Sequence, residues 1–171
     1  MRKYFEALLP YLKPLAERGL SIAAFIFPLV EVASYFGPKV FLSTESVVLR
    51  SFYFNYLTKL TTFYTDNNLL VFGFMIWIFL VCSRGSIRLT KFVRFNVIQA
   101  ILLNIICSCF GVIFTFLPIV LRESMLGVIF ANFLFLGIVL LIAYSSLLII
   151  YGRFPRIPII SEAAKLQVQQ G

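Results

Sequence analysis

The chain has 171 residues, of which 61% are apolar and 13% charged, and it contains no histidine. So much apolar surface cannot be hidden in an aqueous fold, which excludes a soluble domain and points to one integral membrane unit. Without histidine, bis-histidine haem, most zinc sites and imidazole-based acid, base or nucleophile chemistry are excluded, so neither an enzyme nor a cofactor is expected.

Taken in chain order, residues 1–18 carry Arg2, Lys3, Lys13 and Arg18 and are interrupted by Pro10 and Pro14, which reads as an N-terminal interfacial segment. They hold neither a continuous apolar core with a small-residue cleavage site nor a Ser/Arg-rich, acid-poor extension. The expectation is a chain made in the compartment its termini occupy, or a mature form. A first apolar span covers about 19–36 and contains Pro28 and Glu31. Residues 47–64 differ, with Arg50, Ser51, Asn55, Thr58, Lys59 and Thr62 on one helical face and Val48, Phe52, Tyr56, Leu60 and Phe63 largely opposite. That pattern predicts an amphipathic helix lying in the membrane interface, the alternative being a fifth, half-buried span.

The second span, about 69–83, is short: its 15 residues reach about 22 Å against a hydrocarbon core of about 30 Å. Either Asp66, Asn67 and Asn68 supply an interfacial first turn or the bilayer thins around it. The third and fourth spans, about 92–118 and 125–151, are long enough without help. The expected fold is therefore all-α, a membrane domain over 19–151 with four transmembrane helices and one interfacial amphipathic helix, followed by a tail over 152–171. In the tail, Gly152 to Pro158 cannot continue a helix, and Ser161 is placed to cap a final helix with Glu162 in its first turn. Such a tail, with Pro158, Ser161 and Glu162 as its marked positions, would dock on the helix ends or bind a partner.

Charge placement sets orientation. Arg2, Lys3, Lys13 and Arg18, the loop residues Arg84, Arg88, Lys91 and Arg94, and the tail residues Arg153, Arg156 and Lys165 put eleven basic groups on one side, against Lys39, Arg50, Lys59 and Arg122 on the other. Both termini are expected to face the cytoplasm-equivalent compartment. The cluster Arg84, Arg88, Lys91 and Arg94 also leads into a helix N-terminus, against the macrodipole, which suits a topology determinant or a contact with anionic lipid or an acidic partner. With the basic groups placed in this way, no nucleic-acid partner is expected.

The third span carries the clearest functional pattern. Asn96, Gln99, Ala100, Asn104, Cys107 and Gly111 fall within roughly 140° of arc at about 100° per residue, while Ile98, Ile101, Leu102, Ile105 and Cys109 take the other side. The polar face would pack against other helices or line a path, and the apolar one would meet lipid. Glu31 lies well within an apolar run and needs a partner or a proton. Its depth matches that of Asn104, and Asn132 falls in the same half of the membrane, which predicts a polar cluster of Glu31, Asn104 and Asn132; the alternative is a hydrated Glu31 at the interface. The three cysteines, Cys82, Cys107 and Cys109, lack metal or disulfide spacing and read as small packing residues.

The run Lys91-Phe92-Val93-Arg94-Phe95-Asn96-Val97-Ile98-Gln99-Ala100-Ile101-Leu102-Leu103-Asn104-Ile105 resembles a signature of the Tic20 family, the inner-envelope protein translocon subunit of chloroplasts and its cyanobacterial relatives. Phe27-Pro28-Leu29-Val30-Glu31 and Arg156-Ile157-Pro158-Ile159-Ile160-Ser161-Glu162-Ala163-Ala164 are similar to two further segments of that family, in the same order. Asn104 stands where the family usually has an acidic residue, which argues for a hydrogen-bonding or structural role there. The resemblance implies a membrane subunit that forms or braces the path of precursor proteins across the inner envelope membrane of the plastid, in a plastid-encoded form with both termini on the stromal side. Its partners would be other translocon subunits, precursor polypeptides in transit, membrane lipids and further copies of itself. A small-solute or ion transporter or channel subunit is the alternative, although no inverted repeat or paired broken helices are present.

Overall fold

The computed structural model describes residues 2–85 and 89–169, with side chains from residue 13 to residue 168. The described residues are mostly helical, without a strand, in the order α1 (Arg2–Ala24), α2 (Ile26–Leu42), α3 (Val47–Phe52), α4 (Thr58–Asp66), α5 (Asn68–Arg84), α6 (Lys91–Phe116), α7 (Ile119–Glu123), α8 (Met125–Ile150) and α9 (Ile160–Gln169). Arg2, Lys3 and Arg88 of the predicted basic groups fall outside the described side chains.

Each break has a local cause. Pro28 has no N–H to donate and its ring would collide with the carbonyl of Ala24, so α1 stops there and α2 restarts at Ile26 with Pro28 in its first turn. Phe25 keeps right-handed helical dihedrals, and Lys13–Leu42 runs as a single apolar element of 30 residues, longer than the 19–36 read from composition. Helix α3 passes through a π-helical turn, Tyr53–Leu57, into α4. At Asn67 the chain then bends by 78° into α5. The Asn67 side chain closes that corner by donating to the Phe63 carbonyl at 2.9 Å. Val48, Phe52, Tyr56, Leu60 and Phe63 of this bent element are all exposed. Pro118 holds Leu117 extended and ends α6. Thr90 and Ser124 cap α6 and α8 by accepting from Val93 and Gly127. Gly152, at φ 71°, closes α8 with paired bonds from Arg153 to Leu148 and from Gly152 to Ile149.

Helix α6 is the centre. It packs against α1, α2, α5 and α9, while α8 packs mainly on α2. The core joins Phe25, Val32 and Phe36 to Ala100, Leu103, Cys107 and Phe114, with Ala131, Ile142 and Ile149 of α8 closing the other side. One expectation is corrected here: Ile98 and Ile101 do not meet lipid but are 0% and 5% exposed, under a second cluster with Val93, Phe95 and Cys82. The first turns of α6 are enclosed on all sides because α5 and α9 cover the face that composition assigned to lipid. Only from Ile105 outward does that face emerge.

Arg18 donates to the Ile150 carbonyl at 2.9 Å and ties α1 to the end of α8, while Ser83 donates to Gln167 at 3.1 Å and ties α5 to α9. At the other end Lys39 pairs with Glu123 and holds its carboxyl below the usual carboxylate range. That contribution is in place above the ordinary carboxylate pKa and is lost as pH falls through the lowered one.

Helices α2 and α6 approach closely at Gly111, where an added Cβ would lie 2.3 Å from the Tyr35 ring. Gly111→Ala is expected to lower stability in detergent by about 1–3 kcal/mol, because the ring must swing out of a packed seam. Gly137 faces open space, so Gly137→Ala should leave the thermal midpoint unchanged or raise it.

Candidate functional site

The polar side chains of α6 form two layers, each completed by a different part of the chain. In the inner layer Gln99, fully buried, donates to the Pro155 carbonyl at 3.4 Å and to the Ser161 hydroxyl at 3.2 Å. Ser161 in turn donates to the Ile157 carbonyl at 2.6 Å. This corrects the expectation that Ser161 caps the last helix. Helix α9 begins one residue earlier, at Ile160, after Ile159 takes a left-handed backbone at φ 68°, and the hydroxyl is thereby turned inward to α6. Asn96 donates to the Phe92 carbonyl one turn back at 2.9 Å. Pro158 and Glu162 stay exposed, while Pro155, Ile157 and Ile160 are buried, so the extended tail is seated in the bundle.

In the outer layer Glu31, 4% exposed, accepts a hydrogen bond from Ser108. Tyr64, brought in by α4, faces Glu31 across a shared cavity. A small cavity of about 90 Å³ opens here, lined by Glu31, Ser34, Tyr35, Tyr64, Thr65 and Asn68. Glu31 and Asn104 are thus brought together. Asn132, half-buried on α8, forms no hydrogen bond with either among the described residues, and the side chain that shares the cavity with Glu31 is Tyr64. Ser108 sits one turn beyond Asn104, and that spacing of four was the signal for it. Nothing in the local pattern of α4 marked Tyr64, because its role depends on the bend that carries α4 across α2.

Both layers remain incompletely satisfied. The side-chain oxygens of Asn96, Gln99 and Asn104, and the Ser145 hydroxyl on α8, are buried with no hydrogen-bond partner among the described residues. Each costs about 1–3 kcal/mol in an apolar surrounding. Three of the four lie on a single helix face, so the cost is concentrated rather than scattered.

The basic cluster separates. Arg84 and Lys91 are exposed, whereas Arg94, 7% exposed, turns inward and donates to the carbonyls of Cys82 at 2.6 Å and Ser83 at 2.8 Å. Arg94 therefore does not contact lipid or a partner; it caps the last turn of α5, where carbonyls lack intrahelical partners and the dipole favours a cation.

A family profile described as "Chloroplast import apparatus Tic20-like" matches residues 7–164. The chain belongs to the Tic20 family. It is 35% identical over 156 residues to the Tic20 family protein Ycf60 of Porphyra purpurea, covering 90% of this chain and 76% of that one. The Ycf60 protein of Cyanidium caldarium is 31% identical over 150 residues, covering 88% and 72%. A Tic20 family protein of Synechocystis is 30% identical over 154 residues, covering 90% and 93%. No solved structure matches this chain. Membership in the Tic20 family places both polar layers, and the tail docked on the inner one, inside the matched region.

Arg94→Met should cost about 2–3 kcal/mol, since two helix-end carbonyls lose a charged donor together. It should speed amide exchange over the last turn of α5, and Arg94→Lys should recover only part of the loss because an ammonium does not reproduce the fork. Gln99→Leu combined with Ser161→Ala is expected to free the tail, read as faster proteolysis after Arg153 or Arg156 with the membrane helices intact.

Proposed function

We propose that this protein is a membrane subunit of the machinery that imports precursor proteins across the plastid inner envelope, and that the polar face of α6 is a closed seam which opens to an extended polypeptide. The observation that carries this is the row of buried, unpaired oxygens on Asn96, Gln99 and Asn104. A helix built only to pack would fill that face with apolar or fully bonded groups, whereas carboxamides with a free acceptor bond readily to a passing backbone N–H. The inner layer supports the same reading, since Gln99 already holds the carbonyl of an extended segment, the protein's own residue Pro155. Glu31, Ser108 and Tyr64 would close the outer part of the seam at rest. Family membership supports the role in import, and the apolar helices support the membrane location. In this reading the termini face the stroma, and other translocon subunits or further copies complete a path that four spans alone do not enclose.

A small diazirine side chain placed at Asn104, or as control at the exposed Ile105, tests the seam while a labelled precursor is arrested in transit. Crosslinks to precursor from Asn104 and none from Ile105 are expected. Crosslinks from Asn104 only within the chain or to neighbouring subunits would make the face a packing seam and the protein a scaffold beside the path.

A further inference from the structure

Helix α5 is the least supported of the long helices. It packs on α6 and touches α9, but only Met75 and Cys82 along its 17 residues are buried. Between α5 and the first span lies an elongated apolar cleft of about 390 Å³, with Leu20 and Phe27 on one wall, Phe74 and Trp77 on the other, and Val97 and Ile101 of α6 at its floor. Phe27 and Phe74 close one end, with ring centroids 6.3 Å apart. The other end runs toward Leu20 and Leu89.

The shape selects among occupants. A membrane-crossing helix about 10 Å wide and 30 Å long fills about 2,400 Å³, several times the space available, whereas one acyl chain is thin enough to lie between α1 and α5. The basic end selects further. On α5 the lining residues Phe74, Trp77, Ile78 and Val81 recur at helical spacing, and the next position of that stripe is Arg84, exposed and without a salt bridge among the described residues. On α1 the stripe of Leu20, Ala23 and Ala24, carried on by Phe27 of α2, continues back to Lys13, also exposed. Glu17 lies at the edge of the same stripe and offsets one positive charge. With Arg84 and Lys13 set against Glu17, the balance there stays positive.

We infer that the cleft between α1 and α5 binds one anionic glycerolipid, its acyl chain lying along Trp77 and ending at Phe27 and Phe74, its charged headgroup held by Arg84 and Lys13. The lipid supplies the neighbour that α5 lacks on this side. The site is separate from the polar face of α6 and does not depend on the import reading.

Trp77 is the chain's single tryptophan, so its fluorescence reports on the cleft. The full-length protein is reconstituted in phosphatidylcholine vesicles containing a minor fraction of either acyl-brominated phosphatidylglycerol or acyl-brominated phosphatidylcholine. At equal fraction the brominated phosphatidylglycerol is expected to quench Trp77 several-fold more effectively, and the excess should fall as salt is raised. Arg84→Gln should cut the preference by about five-fold, the worth of one basic group at a membrane surface. Ala23→Phe, which fills the cleft at an exposed position without touching the basic groups, should lower quenching by both lipids. Equal quenching by the two lipids, or an excess that Arg84→Gln and Lys13→Gln leave intact, would show ordinary boundary lipid and overturn the inference. Protection of Trp77 from both lipids would show that a protein segment covers the cleft, and would overturn it too.

Discussion

In a lipid bilayer a polar side chain that faces outward has nothing to bond to, so the helix carrying Asn96, Gln99, Asn104 and Ser108 has to be surrounded by the rest of its own chain. That requirement organises the bundle. Helix α2 brings Glu31 to Ser108, the bent element α3–α4 brings Tyr64 to the cavity beside Glu31, and the tail folds back so that Ser161 and the Pro155 carbonyl reach Gln99. The burial of Pro155, Ile157 and Ile160 follows from this docking, since an extended segment laid against α6 must satisfy its own apolar groups as well.

The two sides of α6 are built to different standards. Toward α2 and α8 the packing is close, with Gly111 admitting the Tyr35 ring and a continuous aromatic and aliphatic core. Toward α5 it is sparse, and that helix is fixed near its ends: by Arg94 on the carbonyls of Cys82 and Ser83, and by the corner at Asn67. Such a helix can shift against the bundle at less cost than α2 or α6 could, because few buried contacts would be lost. The adaptable part of the bundle therefore lies on the side of α6 that faces α5 and the first span.

Much of this was legible in the residues, and where it was not the reason is physical. The apolar runs, the polar stripe on α6 and the isolation of Glu31 are visible because lipid imposes backbone pairing within each span and penalises every polar side chain left facing it. The enclosure of Ile98 and Ile101 was not visible, because a lipid-facing and a protein-facing position are equally apolar. Arg94 read as one of four basic groups; its inward turn depends on where α5 ends, which its own neighbourhood does not encode. Ser161 had the residue type of a cap, yet the left-handed backbone at Ile159 starts the helix before it.

What the amino-acid order determined alone is the set of long apolar runs, the end of the third span at Pro118, the face of α6 that carries carboxamides, and the family signature that runs through that face. Those features follow from local sterics, hydrogen bonding and the cost of polarity in lipid, each acting within a few turns. The tertiary structure decided which side chains meet: that Ser108 bonds Glu31 and Tyr64 shares its cavity, that the tail docks on Gln99, and that a cleft remains beside α5. Those contacts join residues tens of positions apart through a 78° bend and a returning tail, and no local pattern carries the angles at which separate helices cross.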